Sequence, residues 1–494
     1  MMGKTDSLST RQWRRPGRFE QILLPVVLLA LVGGGTGLWW IVSQESRRPI
    51  IVDDDGPAVE SAKKLEEARE KADRLDPGWR FGDLLAHRTA VPDEKNGALA
   101  VLKAQDTLKV PWSQEELSND LIQLASLDSL SAKQVAALKE ALIKDAPALR
   151  EASRLADLPT GSYPVDWREP DPLLTPLPHL ATIIAVQQLL FCDALRHTQN
   201  GDLDEALKST RALLNAGRSI GDEPTLHSQV IRVSVHLLAA QALERILAHG
   251  QPTDGALKET QVLFEDEGAQ PLLLRAARAC RAGREDLLDI LQESRANLDF
   301  LDEVSDDGGN SLADLVSLFF SNPGTNQPSL VRGIHAWLLN YLTEFVEIAK
   351  LPQDQQAGRL QPLLSSIQTC PKAGRALIPT VGKIVEAFNN SQTFMRCSAA
   401  AMALERFRQA KGAWPDDLNA LVPAYLAAVP IDPHDGKLLR YGKYPEGVVV
   451  YSVGADSEDN GGDFKTLNTY RTGTDLGIRL WEPAKRSAAK PSVK

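Results

Sequence analysis

Residues Ile22 to Val42 read ILLPVVLLALVGGGTGLWWIV, an apolar run without one ionisable side chain. At about 1.5 Å rise per residue it spans about 30 Å as a helix, the thickness of a bilayer's hydrocarbon core. In hydrocarbon each backbone N–H and C=O must be paired within the segment, so the run predicts one transmembrane helix over 22–42. Lys4, Arg11, Arg14, Arg15 and Arg18 precede it against Asp6 and Glu20, a local charge of +3. That bias keeps 1–21 in the cytoplasm and places the bulk of the chain outside, as a single-pass protein of the cytoplasmic (inner) membrane. Leu38-Trp39-Trp40-Ile41-Val42 puts bulky groups where a signal peptidase needs small ones, so the segment is read as a retained anchor. The chain carries −10 in all, which leaves −13 beyond the anchor. An acidic surface of this kind excludes nucleic acid as a partner and leaves residues 22–42 as the membrane contact, with protein partners expected outside.

The fold class that follows is mainly α. Residues 43–76 read as a linker and a solvated helical stalk, because Ala58 to Leu75 combines strong helix formers with Glu/Lys pairs three and four apart and stops at Asp76-Pro77-Gly78. A large irregular α-helical domain is expected over 77–390. Ser113 and Glu116 form a capping-box pattern, and helical periods recur over 131–143, 146–158, 226–249, 257–264, 270–293, 331–350 and 360–369. Leu180 to His197 is apolar nearly all round and is taken as the central buried helix. With the helix that begins after Gly201 it resembles one tetratricopeptide hairpin, without a second copy at a period of about 34 residues. Six prolines between Pro159 and Pro178 make 158–177 a connector. Asp299 to Asn310 reads as an acidic loop. Cys192, Cys280, Cys370 and Cys397 are too sparse for a disulfide scaffold and read as buried thiols, with Cys370 to Cys397 as the alternative bridge.

Near residue 410 the period changes. A helix over 395–410 gives way to Trp414-Pro415, then to extended runs at Leu438 to Tyr441 and Gly447 to Val453 around the turn Pro445-Glu446-Gly447. A long helix carrying a small antiparallel sheet is expected over 391–482, with a disordered basic tail over 483–494. Ala403-Leu404-Glu405-Arg406-Phe407-Arg408, Gly412, Trp414-Pro415, Leu421, Asp432-Pro433, Asp435-Gly436, Leu439-Arg440-Tyr441 and Tyr451-Ser452-Val453-Gly454-Ala455-Asp456 come in order, followed by Asp475-Leu476-Gly477 and Trp481. This series resembles the C-terminal domain of the major (G-type) pseudopilin of type II secretion systems. The resemblance covers about 395–481, less than a fifth of the chain.

It implies calcium in the loop after the last strand, held by Asp456, Asp463 and the carbonyl of Val453. The loop's own chemistry adds Glu458 and Asn460, since calcium takes six to eight oxygens and a D-x-E-x-N-G order can converge them around a glycine. Phe464 stands where the family has a second aspartate, and Leu467 excludes an EF-hand. Gly17-Arg18-Phe19-Glu20 lacks the prepilin peptidase spacing, which argues against assembly into a pseudopilus.

Gly217-Arg218-Ser219-Ile220-Gly221 matches the G-x-S-x-G nucleophile elbow, but a helical pattern precedes it where that motif needs a strand. The histidines form no H-x-x-x-H pair, and no phosphate-binding glycine loop follows a strand. The reading is a membrane-anchored, extracytoplasmic scaffold or binding protein of the cell envelope, non-enzymatic, with structural calcium near its C-terminus. An accessory of a type II secretion or pilus-like machine is one alternative. An envelope hydrolase using Ser219 or an acidic cluster is the other.

Overall fold

The computed structural model of the protein describes residues 56–110, 112, 116–167, 175–293, 328–463 and 475–487. Within them the chain is mainly helical and ends on a small antiparallel sheet of three strands. The run 22–42, the Ser113 cap and the loop 299–310 lie outside the described residues. Among the described residues no helix is long and apolar enough to cross a membrane.

The longer helices are α1 (Gly56–Leu75), α2 (His179–Asn200), α3 (Leu203–Arg218), α4 (Leu226–His249), α5 (Asp254–Gly268), α6 (Leu272–Glu293), α7 (Pro328–Lys350), α8 (Gln353–Ser365) and α9 (Val381–Lys411). Shorter helices at Gly97–Gln105, Ala132–Lys144 and Ala146–Ser153 pack beside α2. Gly201 closes α2 with φ 84°, the left-handed turn that lets α3 fold straight back along it. Ser131 and Gln134 make a reciprocal capping box at the start of Ala132–Lys144.

Several expectations are corrected. The first concerns α1, which is no free stalk: Leu65, Ala68 and Ala72, spaced three and four apart, are buried, and the two alanines pack with Trp79 and Leu339 of α7. The stripe is too narrow and too alanine-rich to stand out among the charges around it, yet those charges also bind the body. Arg69 donates to Glu285 and Asp289, and Lys71 to Asn340. Where α1 ends, buried Asp76 gathers Arg278, Arg281 and Lys350.

The second concerns the centre of the bundle. From Ser228 to His249 every residue of α4 except Ser234 is buried, whereas α2 keeps a partly exposed edge. Arg232, His236, Glu244, Arg245 and His249 disguise α4 as a surface helix, because their polar ends find partners inside. The third concerns the tail, where Arg486 reaches buried Glu405 and the carbonyl of Gly250, and the Ser487 N–H donates to Ala248. Residues 483–487 are therefore part of the packed body.

No seam falls at residue 390. Helix α9 is continuous across it: Val381, Ile384, Val385 and Phe388 enter one apolar cluster with α6 and α7, while Phe394, Met395, Met402 and Leu404 enter a larger one. That larger core also takes Val448 and Val450 of β2 (Gly447–Ser452) and Ile478 and Leu480 of β3 (Leu476–Trp481). The strand order is β1-β2-β3, with β1 (Arg440–Tyr444) and β3 both antiparallel to β2. Each residue of β2 is buried, because the loop after it folds back and Gly462 lies against Val449 and Tyr451. The run VVVYS is thus apolar on both faces for a physical reason. All four cysteines are buried thiols.

Candidate functional site

The loop expected to hold calcium folds around an aspartate outside the expected set. Asp475 is fully buried, and its two oxygens accept the N–H groups of Asn460 (3.3 Å) and Gly462 (2.7 Å). Burial raises its pKa above the ordinary 3.8, the two backbone hydrogen bonds oppose the rise, and the charges of Asp459 and Asp456 add to it. Of the expected ligands, Val453 is buried with its N–H on Asp432. Asp456 accepts from the N–H of Glu458, and the Glu458 carbonyl accepts from the Asn460 side chain. Asp463 is exposed. The carboxylates of Asp456, Glu458 and Asp463 do not converge: the described residues place no three acid, His or Cys ligand atoms of this loop within 4.8 Å of one another.

Asp432, in the Asp-Pro turn, differs. It is also fully buried, but Ser452 Oγ, the N–H groups of Val453 and His434 and the guanidinium of Arg440 (2.5 Å) surround it. Each lone pair of the carboxylate has a donor, and one donor carries the compensating charge.

A cluster with metal-ligand chemistry does occur elsewhere, at Glu285, Asp289 and His335. His335 Nε2 lies 2.7 Å from Glu285 Oε2, while Arg69 spans Glu285 Oε1 and Asp289 Oδ1 at 2.7 Å each. The guanidinium already supplies the cation there, and its hydrogen bonds hold α1 to the body. A metal would have to evict it.

Ser219 has no access to a substrate. It is fully buried, its Oγ bonds to the Ala216 carbonyl (2.7 Å) and Tyr163 OH (2.9 Å), and Gly161 lies so close over its backbone that a Cβ there would meet Ser219 O at 2.4 Å. The residue follows a helix, as its sequence context indicated, and no histidine base reaches it.

A cavity lies at a junction the sequence did not announce. It measures about 510 Å³ and opens between the α5–α6 turn, the α7–α8 turn, the middle of α9 and the Ile431–Gly436 turn. Gly436 makes the junction close: at φ +73° it lies on the first turn of α8, where a Cβ would come within 2.5 Å of Asp354. One wall is a hydrogen-bonded row. Glu267 is fully buried and accepts from Arg218 (2.8 Å), from Arg232 Nη2 and Nε (2.8 and 2.9 Å) and from His236 Nε2 (3.2 Å). Burial alone would raise this carboxyl; Arg232 and the hydrogen bonds overcome that and hold it well below the usual carboxylate range.

Burial pushes His236 down despite Glu267, so the imidazole is neutral near pH 7. Since an ionised glutamate only accepts, Nε2 carries the proton and Nδ1 accepts from Ser391 Oγ. Ser391, His236 and Glu267 thus share the connectivity of a nucleophile, a base and its orienting acid. The resemblance stops there, because Ser391 is buried in the middle of α9, where neighbouring N–H groups are spent in the helix and none is left to hold an oxyanion.

The opposite wall carries amides and one guanidinium. Arg396 Nη1 donates to Gln353 Oε1 and to the Ile431 carbonyl, both at 2.5 Å, and joins α9 to α8 and the Asp-Pro turn. Gln392 donates to Gly268 O (2.9 Å) and Gln356 to Leu351 O (2.9 Å). Phe388, Met395, Leu273 and Leu351 supply the apolar part. The chain matches no family model, no curated protein and no solved structure.

Proposed function

We propose that this chain is a non-enzymatic, membrane-tethered binding protein whose small-molecule cavity lies where the helical body meets the C-terminal unit. The observation that carries this is the cavity of about 510 Å³, with apolar side chains, amides and Arg396 facing one space. That is the size and mixed lining of a ligand pocket. The tether rests on the run 22–42, and an extracytoplasmic position rests on the charges before it. Against catalysis stand the sealed Ser219 and the missing oxyanion donors at Ser391. A thermal-shift screen of the full chain in detergent, with amino acids, short peptides, sugars and nucleotides, tests the reading. At least one class should raise the melting temperature of the wild type and leave Ala349→Trp, which fills the cavity, unmoved. A flat response to every class would sink it.

A second reading concerns the C-terminal loop, where buried Asp475 has only backbone donors. Calcium drawn in by Asp456, Asp459 and Asp475 would provide the missing charge and act structurally, which suits both the scaffold reading and that of a secretion accessory. Calorimetry of the full chain with calcium against a chelator should give a rise in melting temperature that Asp456→Ala removes. Equal melting in both conditions leaves the loop a metal-free acidic turn.

A further inference from the structure

The ligand class of the cavity can be taken further, on the condition that the cavity binds a ligand at all. Several buried guanidinium groups elsewhere in this protein face acids: Arg218 and Arg232 face Glu267, Arg281 faces Asp76, and Arg408 and Arg486 face Glu405, whereas Arg245 spends its donors on the carbonyls of Ala125 and Asp128. Arg396 makes no ion pair among the described residues. Its two hydrogen bonds leave from Nη1 to neutral oxygens, while its Nε and Nη2 donors carry none. Asp432, the acid it feels electrostatically, is engaged by Arg440. A half-buried guanidinium in a cavity wall without its counter-ion is a subsite for an anion, in the forked geometry that suits a carboxylate.

Charge decides between a carboxylate and a phosphate. Among the described residues lining this cavity Arg396 is the one cationic side chain; Glu267 is already neutralised by Arg218 and Arg232, which leaves Asp354 as the other charge facing the space. One guanidinium beside one acid suits a monoanion better than a dianion, whose second charge would meet only Asp354. Spacing gives the length. Asn389, Gln392 and Arg396 fall at i, i+3 and i+7 on α9, and all three line the cavity. At about 1.5 Å per residue the ends of that stripe lie about 10 Å apart, and an extended peptide covers about 3.3–3.6 Å per residue. Two or three residues therefore fit between Asn389 and Arg396. The side chain of Asn389 and the Oε1 of Gln356 have no hydrogen-bond partner among the described residues and suit a peptide C=O and N–H. We infer that the cavity takes a short peptide or peptide-like chain ending in a free carboxylate, held by Arg396 at that end and by amide side chains along its length.

The experiment is isothermal titration of the full chain in detergent with N-acetyl-trialanine as the free acid and as its carboxamide. The acid should bind about tenfold or more tightly than the amide in the wild type. Arg396→Gln should erase the difference, with Arg396→Lys retaining part of it, and Ala349→Trp should abolish both. Equal binding of acid and amide by the wild type overturns the carboxylate inference while leaving the cavity as a binding site. So does a screen in which only sugars or nucleotides bind. If no compound of any class binds, the binding reading itself falls, and the inference with it. The comparison of acid with amide is made on the wild type, so it survives if Arg396→Gln disturbs the junction.

Discussion

Glu267 in the helical body and Asp475 in the C-terminal unit are both buried carboxylates, and their surroundings are opposite. Glu267 has two guanidinium groups and an imidazole around it and titrates well below a free glutamate. Asp475 has two backbone N–H groups, with aspartates nearby, and titrates above a free aspartate. In the first the fold supplies the whole counter-charge. In the second the fold supplies hydrogen bonds and leaves the charge to a proton or a cation from outside. Asp432 stands between them, with one ion pair and three neutral donors. The Glu267 site in the body is thus electrostatically closed, whereas the loop after β2 is open to its medium.

Removing charge in this series should cost less at each step. Glu267→Gln leaves Arg232 buried without its carboxylate and Arg218 with Asp266 alone, and uncompensated buried charge costs about 3–5 kcal/mol. Urea unfolding of the full chain in detergent should show that loss. A loss below about 1 kcal/mol would mean that water reaches the site and that the body is not closed. Arg440→Gln should cost less, about 1.5–3 kcal/mol, the range for a hydrogen bond to a charged group, since Asp432 keeps Ser452 and two N–H donors. A cost equal to that of Glu267→Gln would erase the distinction between a charge held by one partner and one held by several.

Much of the helical content and the β1–β2 hairpin were legible, because periods of 3.6 and runs of β-branched residues survive any tertiary setting. What escaped was polar burial. The partners of Arg232, His236 and Glu244 along α4 were not legible, since a sequence shows polarity but not partners: Glu267 is 31 residues from His236, and Ser391 is 155 away. The cavity escaped for the same reason, being lined by turns far apart in the chain. In the C-terminal unit the acids of the loop were visible by spacing, yet their organiser was not. Asp475 comes 13 residues after Gly462 and looks like the edge of the next strand. The helix α9 was read from Met395 onward, although it starts at Val381, because its first half changes partners from the larger core to the smaller one.

The smallest effect is also the one that discriminates best, because its sign differs between the two acids. A depressed pKa, as at Glu267, contributes stability that is present above the unfolded value near 4.5 and disappears as pH falls through the folded value. A raised pKa, as at Asp475, does the reverse: its favourable contribution is complete below the unfolded value near 3.8 and is lost as pH rises through the folded one. Above that window the ionised carboxylate is a net cost to the loop, by day-to-day conditions near pH 7 as well. Asp475→Asn removes the titration and keeps one side-chain oxygen as an acceptor, so in chelator at pH 7 the variant should lie within about 1 kcal/mol of wild type. The pH dependence should separate them: melting between pH 3 and 6 should lose its Asp475 component in the variant while the Glu267 component, steepening toward acid, remains. If Asp475→Asn were as damaging at pH 7 as Glu267→Gln, the carboxylate would have to be charged and compensated inside the fold, and the loop would be closed like the body.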